Sequence, residues 1–184
     1  MPQQLPDYLG PDLDVVFVGF NPGERSAQVG HYYAWHGNQF WNLLYESGML
    51  KEKLAHTDDH RMPEFGLGLT DLVKRWSKSA GELHLHEFHE GRELLAQRLQ
   101  AAAPGARVFA FNGKGVYERF CGRAVKLGWQ RERLLGARVF VLPSTSGRNG
   151  SLTRAQKLGY FRKLADWLNR NGERCSCNGN ARPS

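Results

Sequence analysis

VVFVGFNPG, residues 15–23, is the stretch that decides the fold of this sequence. It opens with four apolar residues, three of them valine, a composition typical of a short strand buried inside a parallel sheet. Asn21-Pro22-Gly23 then forces a sharp turn. Ligands of open α/β sheets bind beyond the carboxyl ends of the strands, so the pattern puts Asn21 at a candidate site, although the same tripeptide would also serve as a plain turn.

The length of 184 residues favours a single domain. We expect this domain to cover residues 1–171, followed by a flexible tail over 172–184 that is rich in Gly, Asn, Arg and Ser. Hydrophobic residues make up 41% and no apolar run reaches membrane-spanning length, so we expect a soluble protein without a membrane partner. Residues 1–10 lack a basic region followed by an apolar stretch, which favours a cytoplasmic location.

The net charge and the numbers of cysteine and histidine residues limit the functions that this sequence could have. The formal net charge of +7 makes a polyanionic partner worth considering. The chain has three cysteines, at Cys121, Cys175 and Cys177. They are too few for a disulfide framework or a four-thiolate cluster. The segment HLHEFH at 84–89 would suit either a metal cluster or a solvated segment, and without a supporting ligand set we expect no metal.

Strand-like and helix-like segments alternate along the chain. Extended segments are predicted at residues 15–20, 66–73, 107–111 and 137–142. Helices are predicted at residues 38–47, 90–103, 114–120 and 152–168. The 90–103 helix would bury Leu94, Leu95 and Leu99 on one face, and residues 24–37 would form a long connection without periodicity. The alternation indicates an α/β fold with a parallel sheet covered on both faces.

Three loops of this sheet are predicted to converge on one edge. They follow Phe20, Phe111 and Leu142. The late loop contains Pro143-Ser144-Thr145-Ser146-Gly147-Arg148, and the middle one opens with Asn112-Gly113-Lys114. The middle loop is too short for the phosphate-binding motif of nucleotide hydrolases.

Four ordered motifs resemble those of the mismatch-specific uracil/thymine DNA glycosylase family. They are Gly19-Phe20-Asn21-Pro22-Gly23, Asn38-Gln39-Phe40-Trp41, Phe111-Asn112-Gly113-Lys114 and Leu142-Pro143-Ser144-Thr145-Ser146-Gly147-Arg148. The resemblance covers about residues 13–170 and implies a three-layer α/β/α sandwich with a short central parallel sheet. It also implies cofactor-free hydrolysis of the bond between a damaged or mismatched base and its deoxyribose.

The resemblance assigns roles to residues in the first motif and in the segment between the first and second motifs. A glycosylase must extrude its target nucleotide into a pocket before it can reach the bond. Asn21 matches the position that holds the attacking water, which a neutral amide orients rather than deprotonates. Tyr33 matches the ring that stacks on the flipped base, with a surface or gatepost tyrosine as the alternative. Ser26 and the main chain of Phe20 are the other predicted base contacts.

Asp71 departs from the family pattern. It follows Gly68-Leu69-Thr70 at a position where relatives carry other polar residues, so its role is not a simple carry-over. If it faces the pocket, its carboxylate could supply the general base that Asn21 cannot, or stabilise an oxocarbenium-like sugar. The alternative is a helix cap for Leu72 onward.

The late loop resembles the family loop that enters the duplex. Arg148 is at the wedge position, with a solvated surface arginine as the alternative. Ser144, Thr145 and Ser146 would contact flanking phosphates, and Gly147 would let the backbone approach closely. Lys114, together with Arg154 and Lys157, is a further candidate for phosphate contact.

The resulting expectation is a monomeric uracil-DNA glycosylase acting on duplex DNA with U·G or related mismatches. A non-catalytic nucleic-acid or nucleotide binding module would use the same basic charge and the same aromatic loop, which is the part of the 24–37 connection that contains Tyr32, Tyr33 and Trp35. A hydrolase of small nucleosides is a third possibility.

Overall fold

The computed structural model describes residues 4–172, without the side chain of Ala80. Residues 173–184 lie outside this range, and with them the predicted tail beyond Gly172 and the two cysteines Cys175 and Cys177.

The described chain alternates strands and helices as predicted. The strands are β1 Val15–Gly19, β2 Leu67–Asp71, β3 Val108–Asn112, β4 Gly128–Leu134 and β5 Ala137–Leu142. The α-helices are α1 Glu24–Val29, α2 Phe40–Glu46, α3 Leu85–Ala102, α4 Lys114–Cys121 and α5 Arg154–Gly172. Two 3₁₀ helices cover His56–Phe65 and Ala80–Glu82.

One mixed sheet of five strands forms the centre, in the order β2-β1-β3-β5-β4. Its first four strands are mutually parallel, and β4 is antiparallel to β5. The expected α/β class with a central parallel sheet is therefore confirmed, and β4, a strand that was not predicted, adds an antiparallel edge. The strand β4, with the sequence GWQRERL, was not predicted because its centre is charged and exposed. Edge strands often carry such charges, which discourage pairing with another chain.

The strand β1 connects the two layers of helices, because alternate side chains of a strand point to opposite faces. Val15 and Phe17 belong to a core that includes Phe40 of α2 and Phe161 of α5. The intervening Val16 and Val18 pack in a second core with residues of α3 and α4. The sheet is thus enclosed on both faces, and the three-layer α/β/α arrangement is confirmed.

Local predictions are wrong at two helices, α1 and α3. Residues 24–29 form the helix α1 where a loop was expected, because six residues are too few for a helical period to stand out. The helix α3 begins at Leu85, where the Glu87 carboxylate accepts a hydrogen bond from the main-chain N–H of His84. Leu94 is 52% exposed, because the buried face follows Gly91, Leu95 and Leu99 instead.

Within residues 4–172 no helix is long and apolar enough to cross a membrane. The same range holds no group of three His, Cys, Asp or Glu side chains arranged to bind a metal ion. His84 and His86 stack their rings with centroids 5.7 Å apart.

Candidate functional site

A cavity of about 600 Å³ opens at the carboxyl edge of the sheet. Residues at or just beyond the carboxyl ends of β1, β2, β3 and β5 line it, so the predicted convergence on one edge is observed. Its walls include Asn21, Tyr33, Asp71, Asn112, Thr145 and Arg148. Sequence-distant polar groups therefore meet in one concave site, the usual form of a ligand pocket.

The side chain of Asn21 is held in a single orientation. Its Nδ2 donates to the main-chain oxygen of Arg75 at 2.9 Å and to Oγ of Ser77 at 2.8 Å. A carbonyl oxygen can only accept, so these contacts assign Nδ2 to that side and leave Oδ1 as the acceptor. The buried Ser77 hydroxyl donates in turn to the main chain of Ser79 at 2.7 Å. The amide is thus a fixed hydrogen-bond acceptor at the tip of β1.

Asp71 is the last residue of β2 and pairs with Gly19 of β1 in the parallel register. A Cβ on Gly19 would lie 2.2 Å from Oδ1 of Asp71, so only glycine fits beside this carboxylate. No helix begins at Leu72, and the next helical segment is Ala80–Glu82. The helix-cap alternative for Asp71 is therefore wrong.

Burial controls the charge of Asp71. The residue is 2% exposed, and its Oδ2 has no hydrogen-bond partner among the described residues. Desolvation raises the pKa of this carboxyl from 3.8 to about 7, although the nearby cations Lys74 and Arg98 act to lower it and Asp7 raises it further. A group with such a pKa exchanges a proton readily near neutral pH.

A charged network lies behind Asp71. Asp7 accepts hydrogen bonds from Thr70 Oγ1 at 2.7 Å and from Lys74 Nζ at 2.8 Å. Arg98 Nε lies 3.0 Å from Oδ2 of Asp7 but is not aligned for a hydrogen bond. Nη2 of Arg98 donates to the main-chain oxygen of Asp71 at 2.7 Å. These contacts fix the end of β2.

The ring of Tyr33 forms part of the pocket wall. It stacks on Phe40 with centroids 4.1 Å apart and an interplanar angle of 30°. The backbone of Tyr33 has a positive φ of 54°, a conformation that non-glycine residues rarely adopt. Burial, together with the charge of Asp71, raises the pKa of its hydroxyl. Tyr33 is therefore an integral wall residue rather than a surface tyrosine.

Ser26 and Phe20 are the other two predicted base contacts. Ser26 is buried, and its hydroxyl accepts a hydrogen bond from the main-chain N–H of Ala34 at 3.1 Å, which fixes the start of the aromatic loop. The ring of Phe20 packs edge-on against Phe88 at 5.3 Å. Both residues line the cavity.

The late loop is anchored through Thr145. Asn112 Nδ2 donates to the Thr145 hydroxyl at 2.9 Å, and the main-chain N–H of Gln39 donates to the Thr145 carbonyl at 2.9 Å. Thr145 is only 1% exposed, so its predicted contact with phosphate is wrong. Ser144 and Ser146 remain partly exposed beside it.

The tip of the late loop rests on the aromatic loop. The Arg148 guanidinium lies 5.1 Å from the centre of the Trp35 ring. A Cβ on Gly147 would be 2.3 Å from the carbonyl oxygen of Gly37, so only glycine fits where the late loop packs against Gly37. Arg148 itself is exposed.

The other three candidates for phosphate contact, Lys114, Arg154 and Lys157, differ in exposure and in their partners. Lys114 is half exposed and lies 3.4 Å from Glu118 on the same helix. Arg154 pairs with Glu46. Lys157 is buried, so its predicted contact with phosphate is wrong.

Several of these residues were not predicted from the sequence. Asn112 stood in a quoted motif, which was a usable signal. Ser77 and Trp35 carried none, because a serine in a polar segment and one aromatic among several look ordinary.

Comparison with known proteins gives one family. The model of the uracil DNA glycosylase superfamily matches residues 6–169. A curated Schizosaccharomyces pombe protein named G/U mismatch-specific uracil DNA glycosylase is 31% identical over 181 residues, which is 93% of this chain and 55% of the relative. The chain therefore spans about half the length of that relative.

A solved structure supports the architecture. The solution NMR structure of a candidate uracil DNA glycosylase from Methanosarcina acetivorans matches with a TM-score of 0.58 and 21% sequence identity. The match covers 89% of this chain and 98% of the other. At this identity the likeness establishes the fold alone.

The buried Asp71 carboxyl predicts an unusual dependence of stability on pH. Its pKa is higher in the folded than in the unfolded chain, so the native state binds more protons between about pH 4 and pH 7 and stability falls as pH rises. We expect Asp71→Asn to have a larger free energy of unfolding than the wild type at pH 8, by at most about 4 kcal/mol, and a smaller difference at pH 5.

Urea denaturation at the two pH values measures this difference, with the exposed Asp166→Asn as the control for loss of a carboxylate. A difference between wild type and Asp71→Asn that stays constant from pH 5 to pH 8 would contradict a raised pKa.

Proposed function

The chain belongs to the uracil DNA glycosylase superfamily, and on that premise we propose that it hydrolyses the N-glycosidic bond of uracil, or a related mismatched pyrimidine, flipped out of duplex DNA. The observation that carries the proposal is the fixed amide of Asn21 at the mouth of a cavity lined by Tyr33 and Asp71. The reaction would leave an abasic site and the free base.

Asn21 would position the attacking water. Because its Nδ2 is already bound to Arg75 and Ser77, its Oδ1 accepts a hydrogen bond from a water without rotating. A neutral amide is too weak a base to deprotonate this water, so the rate depends on orientation and on stabilisation of charge as the bond breaks. Uracil and similar bases that leave readily as anions would be favoured.

Asp71 would assist as the second catalytic group. Its pKa of about 7 gives comparable populations of the acid and the carboxylate at neutral pH. The carboxylate could accept the proton of the water held by Asn21, or stabilise positive charge on the sugar. Its place at the end of β2, next to the end of β1, supports joint action with Asn21.

Tyr33 and the main chain of Phe20 would hold the base. The ring of Tyr33 is braced by Phe40, which supports its use as a flat platform for stacking. Ser26 would act by fixing the turn that leads to Tyr33, since its hydroxyl is bound to Ala34. Lys114, Ser144 and Ser146 would approach the phosphates.

We further propose U·G mismatches as preferred sites, in line with the name of the S. pombe relative. Arg148 stands exposed at the tip of the late loop and would fill the space left by the flipped nucleotide. Its guanidinium can donate two hydrogen bonds to the unpaired guanine. We propose a monomer as the active form.

Release of free uracil from a labelled duplex tests the proposed function. We expect release from U·G duplex in buffer with a chelator, because the proposed reaction uses only side chains and water, and no release from free deoxyuridine. Binding of duplex without release would identify a non-catalytic binding module instead. Turnover of deoxyuridine would identify a hydrolase of small nucleosides.

Asp71→Asn tests the second catalytic group. We expect its single-turnover rate on U·G duplex to be at least about tenfold below that of the wild type at pH 8, as lost general-base assistance predicts. The wild-type rate should rise with pH through about 7, whereas the variant should be nearly flat, so that the two converge at low pH. Equal rates at pH 8 would exclude a catalytic role for Asp71.

Arg148→Ala tests the wedge. Without its guanidinium the enzyme loses contacts that only a duplex offers, so binding to mismatched duplex should weaken by at least about tenfold, with little change on single strands. Arg131→Ala, on the exposed edge strand β4, removes the same charge elsewhere and serves as control. Equal losses on duplex and single strand for Arg148→Ala would contradict the wedge role.

A further inference from the structure

Lys157 lies in the first turns of α5, yet its side chain points into the protein and the residue is only 2% exposed. No carboxylate among the described residues pairs with it. Its ammonium instead donates to two main-chain oxygens, those of Asn149 at 2.9 Å and Ser146 at 3.4 Å. Burying a cation is costly unless it has partners, and here both partners belong to the late loop.

The two carbonyls stand on either side of Gly147 and Arg148. A turn closes between them, since the main-chain N–H of Asn149 donates to the carbonyl of Ser146 at 3.0 Å. Within residues 4–172 no other side chain from outside the loop donates to the main chain of residues 146–149. Lys157 therefore supplies the hydrogen bonds that tie this turn to the body of the fold.

We propose that Lys157 is a positioning residue that holds the turn of residues 146–149 in the shape that presents Arg148 to duplex DNA. The inference rests on the proposed function and adds a residue that touches neither base nor phosphate. Ordering the loop before DNA binds removes part of the entropy loss on binding. Without the ammonium, the Asn149 carbonyl loses its partner and the Ser146 carbonyl keeps only the N–H of Asn149 within the turn, so the turn is free to move outward to water.

A direct phosphate contact, the role expected from the sequence, does not fit this geometry. Desolvation lowers the pKa of Lys157, which agrees with an interior position. A second alternative is a general role in holding α5 against the sheet. That role would affect stability and all substrates alike.

Lys157→Met tests the inference, because methionine keeps most of the volume and removes the donors. We expect uracil release from U·G duplex to lose about tenfold in kcat/KM, through KM rather than kcat, with single-stranded uracil affected less than about twofold. Lys163→Met, an exposed position on the same helix, should match the wild type on both substrates.

A double-mutant cycle separates positioning from general stability. If Lys157 acts through the wedge, Lys157→Met combined with Arg148→Ala should be no worse on duplex than Arg148→Ala alone. Additive losses, or equal losses on duplex and single strand, would overturn the positioning role.

Hydrogen exchange of the Asn149 amide, measured without DNA, tests the positioning role of Lys157 without any measurement of activity. We expect faster exchange in Lys157→Met than in the wild type and in Lys163→Met, because the turn loses its anchor. Unchanged exchange would overturn the role of Lys157 whatever the activity. Failure of the wild type to release uracil, with faster exchange in the variant, would overturn the proposed function and the DNA-presenting role but leave the anchored turn intact.

Discussion

The hydrogen bonds that hold the amide of Asn21 are the constraint on which the site depends. They join the turn after β1 to the segment after β2, since Nδ2 donates to the main chain of Arg75 and to Ser77. Arg75 is itself fixed by a two-pronged ion pair with Glu87 of α3, at 2.6 and 2.8 Å. A small neutral side chain thereby gains a defined direction, which the water-orienting role that we propose for Asn21 requires above all.

A second constraint is the contact between Asp71 and Gly19. Parallel pairing puts the two residues side by side, and the missing Cβ of Gly19 leaves the space that the carboxylate occupies. The same packing buries Asp71, and burial raises its pKa to about 7. Burial of this carboxyl group therefore lowers the free energy of unfolding and keeps the pKa of Asp71 near neutral, as is common at functional sites.

Much of this arrangement could be predicted from residues near each other in sequence. The buried strands β1 and β5 have clear apolar runs, and Asn21 follows from the end of β1. The edge strand β4 and the short helix α1 could not be predicted, because neither shows a regular apolar period. The positions of Asp71 and Lys157 depend on long-range packing. Asp71 looked equally like a helix cap, which is excluded because no helix begins at Leu72, and Lys157 looked like a surface cation, which its burial excludes.

The central claim is that the fixed amide of Asn21 orients the water that cleaves the glycosidic bond. The single-turnover rate of Asn21→Ala on U·G duplex at saturating enzyme tests it most directly, with duplex binding measured in parallel. We expect the rate to fall by about a hundredfold or more while binding changes little, as loss of a positioned catalytic group predicts. An unchanged rate would contradict the claim.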